Sequence, residues 1–332
     1  MKHSINRLLV LLRVAVGVGL LYYVLATTGS WRFAERLLSS PRLAVIVILW
    51  AGVGAMIEAK RLALLLRSQG LELPFAPAVR LVSTATFFGF FIPGGTGGDV
   101  AKLYALAGKR PGQRVEVALV VLVDRAMGLL SLVSLITLLG VSNWRLLQQH
   151  ALIRYLVGIA FLGGTGLISA AGLAWSDRLR AGSVYEVVRT RIPGGRYAAR
   201  VWDALYAFRS HRAALVGALG LSLVGHVTLC GIFLLVAAQT MVAVPPLTVC
   251  LLGLLAMLAN ALPLTPAGLG VGELACAGLF ALAGYSGGSE LILAWRVSAL
   301  LLCVAGGVLW VSGLKSTSEG PHASALPREA PP

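Results

Sequence analysis

The chain has 332 residues, 58% of them hydrophobic and 12% charged, with a mean hydropathy of +0.85. Soluble domains carry roughly 25% charged residues, and evenly spaced alternating strands are absent, so a soluble globular domain and a β-barrel are both excluded. The net charge of +15 sits in short stretches between apolar runs, not in a basic stripe interleaved with aromatics, which argues against a nucleic-acid partner.

In chain order, the first apolar run covers residues 8–27 and follows Lys2 and Arg7. It has the look of a signal peptide, but because the rest of the chain also spans, it is expected to stay as an uncleaved first helix. A second span is expected at 43–66. The next apolar region, 77–108, is interrupted by FFIPGGTGGDV, Phe90 to Val100. Lys60, Arg61 and Arg67 precede it and Lys109, Arg110 and Arg114 follow it, so both flanks belong on the cytoplasmic side. The region is therefore expected to enter and leave from that side as a re-entrant helical hairpin. Full spans follow at 116–141, 152–175 and 213–240. A second interrupted region, 246–285, lies between TMVAVPP and GYSGGSE, which hold no Lys or Arg, and is expected as a hairpin from the outer side. The last span is 289–313.

With this layout both termini are cytoplasmic, and Arg32, Arg36, Arg42, Arg145 and Arg154 are the basic residues of the outer loops. Glu58, Lys60 and Arg61 are placed near a span end, where long side chains snorkel to the interface. The Arg-rich loop 176–212 fits either a surface lying on anionic headgroups or a solvated topology determinant. Residues 314–332 are polar and Pro-rich and are expected to be a disordered cytoplasmic tail. Cys230, Cys250, Cys276 and Cys303 all fall in predicted membrane segments without a CxxC or Cys/His cluster, so no metal, redox centre or cofactor is expected. No strand precedes the glycine-rich stretches and no GK[ST] follows, which rules out a nucleotide loop.

The two interrupted regions resemble each other. Pro93 to Asp99 reads PGGTGGD and Pro266 to Glu273 reads PAGLGVGE. In both, glycines fall two and four residues after the proline, a carboxylate follows, and an arginine (Arg125, Arg296) lies within the next span. The order span, span, hairpin, span holds for 1–150 starting from the cytoplasm and for 151–313 starting from outside. The expected architecture is all-α and polytopic: about six full transmembrane helices plus two re-entrant hairpins, in two inverted-topology repeats.

A broken helix leaves backbone amides that hydrocarbon cannot satisfy, so it must face protein, water or a ligand. Half-helices starting near Val100 and after Gly272 point amide-rich ends inward, suited to an anion such as a lipid phosphate. The expected headgroup site therefore comprises Gly94, Gly95, Gly97, Gly98 and Asp99 from the first break, Gly268, Gly270 and Glu273 from the second, with Asp124, Arg125 and Arg296. Tight packing of the hairpins without a ligand is the alternative. Asp99 suits an N-cap as well as a substrate contact; Glu273 suits an arginine partner or a cationic headgroup. An ionised group at a helix centre costs on the order of 2.5–3.5 kcal/mol. Adjacent Asp124 and Arg125 point about 100° apart, so each is expected to reach a different neighbour, Arg125 towards Asp99 and Arg296 towards Glu273. His226 is expected neutral, hydrogen-bonded to a neighbouring helix, and Asn260 is expected to satisfy backbone groups of the second hairpin.

At FIPGGTGGDVAKL, VDRAMG, PAGLGVGE and the later WR, the chain resembles the transmembrane flippase domain of the lysylphosphatidylglycerol synthase (multiple peptide resistance factor) family of bacteria. The resemblance covers roughly residues 5–313, with Ala267 where a glycine is common. It implies translocation of a lipid between leaflets of the bacterial inner membrane; the amide-rich breaks lead us to expect an anionic or zwitterionic headgroup. About 18 residues follow the last span, so the family's aminoacyl-transferase activity is not implied and the chain is expected not to be an enzyme. Alternatives are a membrane partner of a separate lipid synthase, a lipid-modifying membrane enzyme, and an ion or small-solute transporter.

Overall fold

A computed structural model of the chain describes residues 22, 35, 39–91, 97–108, 111–181, 186–187, 190, 195–240, 244–262, 264–265 and 268–318. Apart from Tyr22, the expected span 8–27 lies outside the described residues, as do the break tip with Pro93, Gly94 and Gly95, and Pro266 and Ala267.

The described residues form helices. Helix α1 (Pro41–Ser68) opens with proline at its first position, where a missing N–H is harmless. It closes on Gly70, whose φ of 70° lets Gly70 N donate to Arg67 O and Leu71 N to Leu66 O, a Schellman stop. The first hairpin is α2 (Phe75–Phe91) and α3 (Gly97–Gly108). Helix α4 (Arg114–Ser142), the short α5 (Trp144–Gln149) and α6 (Ala151–Ala174) follow. In the basic loop lie α7 (Asp177–Ala181) and α8 (Gly195–Ala207), then α9 (Arg212–Thr240). The second hairpin is α10 (Pro246–Asn260) and α11 (Val271–Leu282), and α12 (Ser289–Ser318) ends the described chain.

Length separates spans from hairpin arms. Arg114–Ser142, Ala151–Ala174, Leu205–Gln239 and Ser289–Val308 are long and apolar enough to cross a membrane among the described residues. The 12-residue α11 reaches only about 18 Å at 1.5 Å per residue, short of a hydrocarbon core of about 30 Å. Helix α12 continues to Ser318, so the first residues of the expected tail, 314–318, are helical; residues 319–332 lie outside the described residues.

Packing ties the two sequence halves together crosswise. Helix α2 lies mainly on α12, α10 packs on α4, and α1 runs against α9. One apolar cluster gathers Ile136, Phe233, Leu251, Phe280 and Leu291; a second gathers Leu62, Leu66, Val82, Val117 and Phe208. Leu138, Leu162, Ile168 and Val216 are exposed, the surface that lipid tails would solvate. The loop after α6 is anchored by two reciprocal bonds: Trp175 Nε1 donates to Leu205 O (3.0 Å) and Trp202 Nε1 to Ala174 O (3.1 Å).

The α2–α12 contact is made backbone to backbone. A Cβ at Gly306 would collide with the Ser83 carbonyl oxygen, and one at Gly307 would meet the Phe87 ring at 3.0 Å. Gly306→Ala is therefore expected to destabilise by about 1–3 kcal/mol, the usual range for overpacking. Gly158→Ala on α6, with open space around it, is the control. A thermal melt of purified protein that does not separate the two variants would refute this close packing.

Candidate functional site

Each hairpin carries its carboxylate in the first turn of its second arm, Asp99 in α3 and Glu273 in α11. Asp99 follows Gly97 and Gly98, both already helical, so it is not the N-cap and the half-helix starts before Val100. The glycine just before each acid lies against the opposite arm. A Cβ at Gly98 would stand 3.0 Å from Ala85 O, and one at Gly272 would stand 2.6 Å from Asn260 Oδ1. Gly268 and Gly270 adopt φ of 68° and 77°, which only glycine takes without strain. These glycines close the hairpins; Gly97 is likewise buried.

Each acid meets the arginine of the following span. Arg125 Nη1 donates to Asp99 Oδ2, and Arg296 Nε donates to Glu273 Oε1. The environments differ sharply. The side chains of Arg125 and Asp99 are 43% and 26% exposed, whereas those of Arg296 and Glu273 are 4% and 0% exposed. Arg296 Nη2 also donates to Glu273 Oε2 (3.1 Å), Asn260 Oδ1 (3.2 Å) and Gly268 O (3.2 Å). The second pair thus stitches α10, α11 and α12 together, and Asn260 takes part through its side chain. The first pair is open.

Asp124 turns away from its neighbour Arg125 and is buried with other partners. Arg61 Nε donates to Asp124 Oδ1 at 2.6 Å, and Lys102 Nζ lies 3.4 Å from Asp124 Oδ2 and 2.6 Å from Glu58 Oε1. Arg61 Nη1 also donates to Ser222 Oγ (3.0 Å) on α9. Two acids and two cations from α1, α3 and α4 therefore form one network. This corrects the placement of Glu58 and Arg61 at a snorkelling interface, and Lys102 joins them. The helical phase of α1 and α3 turns all three inward, and Lys102 is 4% exposed. The signal that could have revealed them is spacing: Glu58 and Arg61, and Asp99 and Lys102, stand at i, i+3 inside apolar helices.

His226 Nδ1 lies 2.8 Å from Ser131 Oγ on α4 and 3.0 Å from Ser222 O. A carbonyl only accepts, and Ser131 Oγ already donates to Gly128 O at 2.8 Å, so the proton belongs on Nδ1 and Nε2 is left as an acceptor. Among the described residues no group of His, Cys, Asp and Glu suits a metal ion.

Two adjoining cavities open onto these groups. One, about 300 Å³, is lined by Glu58, Asp99, Lys102, Arg125, Asn260 and Arg296. The other, about 310 Å³, is lined by Trp50, Glu58, Arg61, Ser222 and His226. Glu58, Val82, Thr86, Trp295 and Ala299 border both. The result is a charged interior between apolar helices, able to replace the hydration of a polar group of either sign. Of the expected site residues, Gly98, Asp99, Arg125 and Arg296 line this space, while Asp124 and Glu273 are held behind it.

A family model described as Lysylphosphatidylglycerol synthase TM region matches residues 10–307. No curated protein and no solved structure matches the chain.

Proposed function

The chain belongs to the lysylphosphatidylglycerol synthase transmembrane-region family, a membrane family linked to lipid handling, and on that premise we propose that it translocates a polar lipid between the leaflets of the bacterial inner membrane. The observation that carries this is the half-exposed Asp99–Arg125 pair beside Lys102 and Glu58, facing cavities enclosed by apolar helices. A charged lining of this kind is costly in a membrane unless something polar uses it. The headgroup passes through the charged interior while its acyl chains stay in the bilayer. Arg125 and Lys102 meet the phosphate, and Glu58 or Asp99 balances a cationic or hydroxylated headgroup.

Two inverted halves with cytoplasmic termini fit this role. They are supported by the acid in the first turn of the second arm of each hairpin, and by the exchange of packing partners, α2 with α12 and α10 with α4. The activity proposed is transport without bond-making chemistry, with membrane lipids as the partner and a separate synthase as a source of substrate. Glu273 and Arg296 serve this site as a fixed brace, in contrast to the open first pair.

The test is headgroup flipping in proteoliposomes. Wild type is expected to equilibrate a labelled native lipid, and Arg125→Ala to slow it about tenfold, the scale of one lost charge-assisted hydrogen bond. Its folding stability should change by only about 1 kcal/mol, because the pair is solvent-accessible. Wild-type protein that matches empty liposomes across a panel of native lipids would end the proposal.

A further inference from the structure

We propose that the groove walled by the C-terminal half of α1, residues 72–75 and Leu221 of α9 is a lateral portal that collects an anionic phospholipid, with Lys60 and Arg67 holding its phosphate and Leu221 as the partition from the charged interior. Lys60, Ala63, Leu64 and Arg67 line it. They follow the i, i+3, i+4, i+7 spacing of one helical stripe, so two cations bracket an apolar floor along about 10 Å of α1. Both cations are exposed, and neither has a hydrogen-bond or ion-pair partner among the described residues. Glu72 borders the same groove and leaves its formal charge at +1.

The opposite wall is Leu73, Pro74 and Phe75, with Phe75 50% exposed. The Schellman stop at Gly70 fixes the turn that presents this wall, so the groove is preformed. Its volume is about 630 Å³, larger than either inner cavity and within the range of about 300–1,000 Å³ typical of ligand sites. Cations around an apolar floor match the chemistry of a phosphate joined to acyl chains. A free phosphate would leave the floor unused.

Continuity with the interior comes from one residue. Leu221 lines both this groove and the inner cavity that holds Arg61, Glu58 and His226. The next residue, Ser222, accepts the hydrogen bond from Arg61, so α9 is held from the inside where Leu221 forms the shared wall. A headgroup leaving Lys60 and passing Leu221 meets Arg61 next. The recruitment step stands on the groove alone; only the onward step rests on the translocation proposed above.

The experiment uses purified full-length protein and counts phosphatidylglycerol and phosphatidylcholine retained in native mass spectra, alongside flipping in liposomes of graded phosphatidylglycerol content. Lys60→Ala/Arg67→Ala is expected to weaken phosphatidylglycerol retention about tenfold and to slow flipping at low phosphatidylglycerol, with recovery at high content. Leu221→Trp is expected to slow flipping while retention is unchanged. Unchanged phosphatidylglycerol retention in the double variant overturns the portal. So does an equal loss of phosphatidylcholine, or displacement of the bound lipid by inorganic phosphate. If wild type flips nothing but the double variant still loses phosphatidylglycerol, the portal stands and translocation falls. If wild type flips and the double variant matches it in both readouts, the portal alone falls.

Discussion

Arg296→Met is expected to lower folding stability by about 3–5 kcal/mol, the range for breaking one side of a buried ion pair. Glu273 is completely buried, and Arg296 supplies both of its carboxylate oxygens with donors while also satisfying Asn260 Oδ1 and Gly268 O. Methionine fills much of the volume but leaves a carboxylate without a cation in an apolar bundle. The melting temperature in detergent should fall on the order of 10 °C. Glu273→Gln combined with Arg296→Met removes both charges and should recover most of the loss, because a buried pair contributes little over an apolar substitute. Arg125→Ala, at the corresponding place in the first hairpin, should melt close to wild type. If Arg296→Met melts with wild type, or Arg125→Ala falls as far, the unequal burial of the two pairs has no energetic meaning.

Asp124→Ala is expected to be of similar severity, for a different reason. Asp124 is the one acid touching both Arg61 and Lys102, and without it Glu58 faces two cations alone. Two unit charges 4 Å apart repel by about 4 kcal/mol at an effective dielectric constant of 20, and water entering the cavities will relieve part of this. A loss of about 3–5 kcal/mol follows. Lys102→Met added to Asp124→Ala restores neutrality between Glu58 and Arg61 and should regain stability, giving a positive coupling in a double-mutant cycle. The double variant should still fail to flip lipid, because Lys102 is part of the cavity lining. Strict additivity of the two changes in thermal melts would show that the network is not a unit.

The helices were legible because spans and breaks announce themselves in composition: apolar runs of about 20 residues need little else to specify them. The two motif pairs were legible for a related reason. An arginine eight or ten residues into an apolar span needs a partner, and each hairpin offers one carboxylate. Glu58, Arg61 and Lys102 were not legible. Counting charges near span ends treats every cation there as a flank, whereas inward or outward orientation is set by helical phase against neighbouring helices. The unequal exposure of the two motif pairs was equally hidden. PGGTGGD and PAGLGVGE are similar strings, but Asn260 stands opposite the second acid's glycine and Ala85 opposite the first. Asparagine joins Arg296 in a closed set of bonds; alanine offers none.

The close seat of Gly306 on Ser83 also sets an order of events during synthesis. Helix α2 leaves the ribosome roughly 220 residues before its principal packing partner α12, a delay of about 10–45 s at 5–20 residues per second. Throughout that interval the first hairpin lies in lipid with its Ser83 face uncovered, a state that chaperones and membrane proteases can recognise. A chain cut short before α12 never leaves it. Cells expressing such a truncation should therefore degrade it quickly, which makes the last helix the checkpoint that decides whether the first hairpin survives.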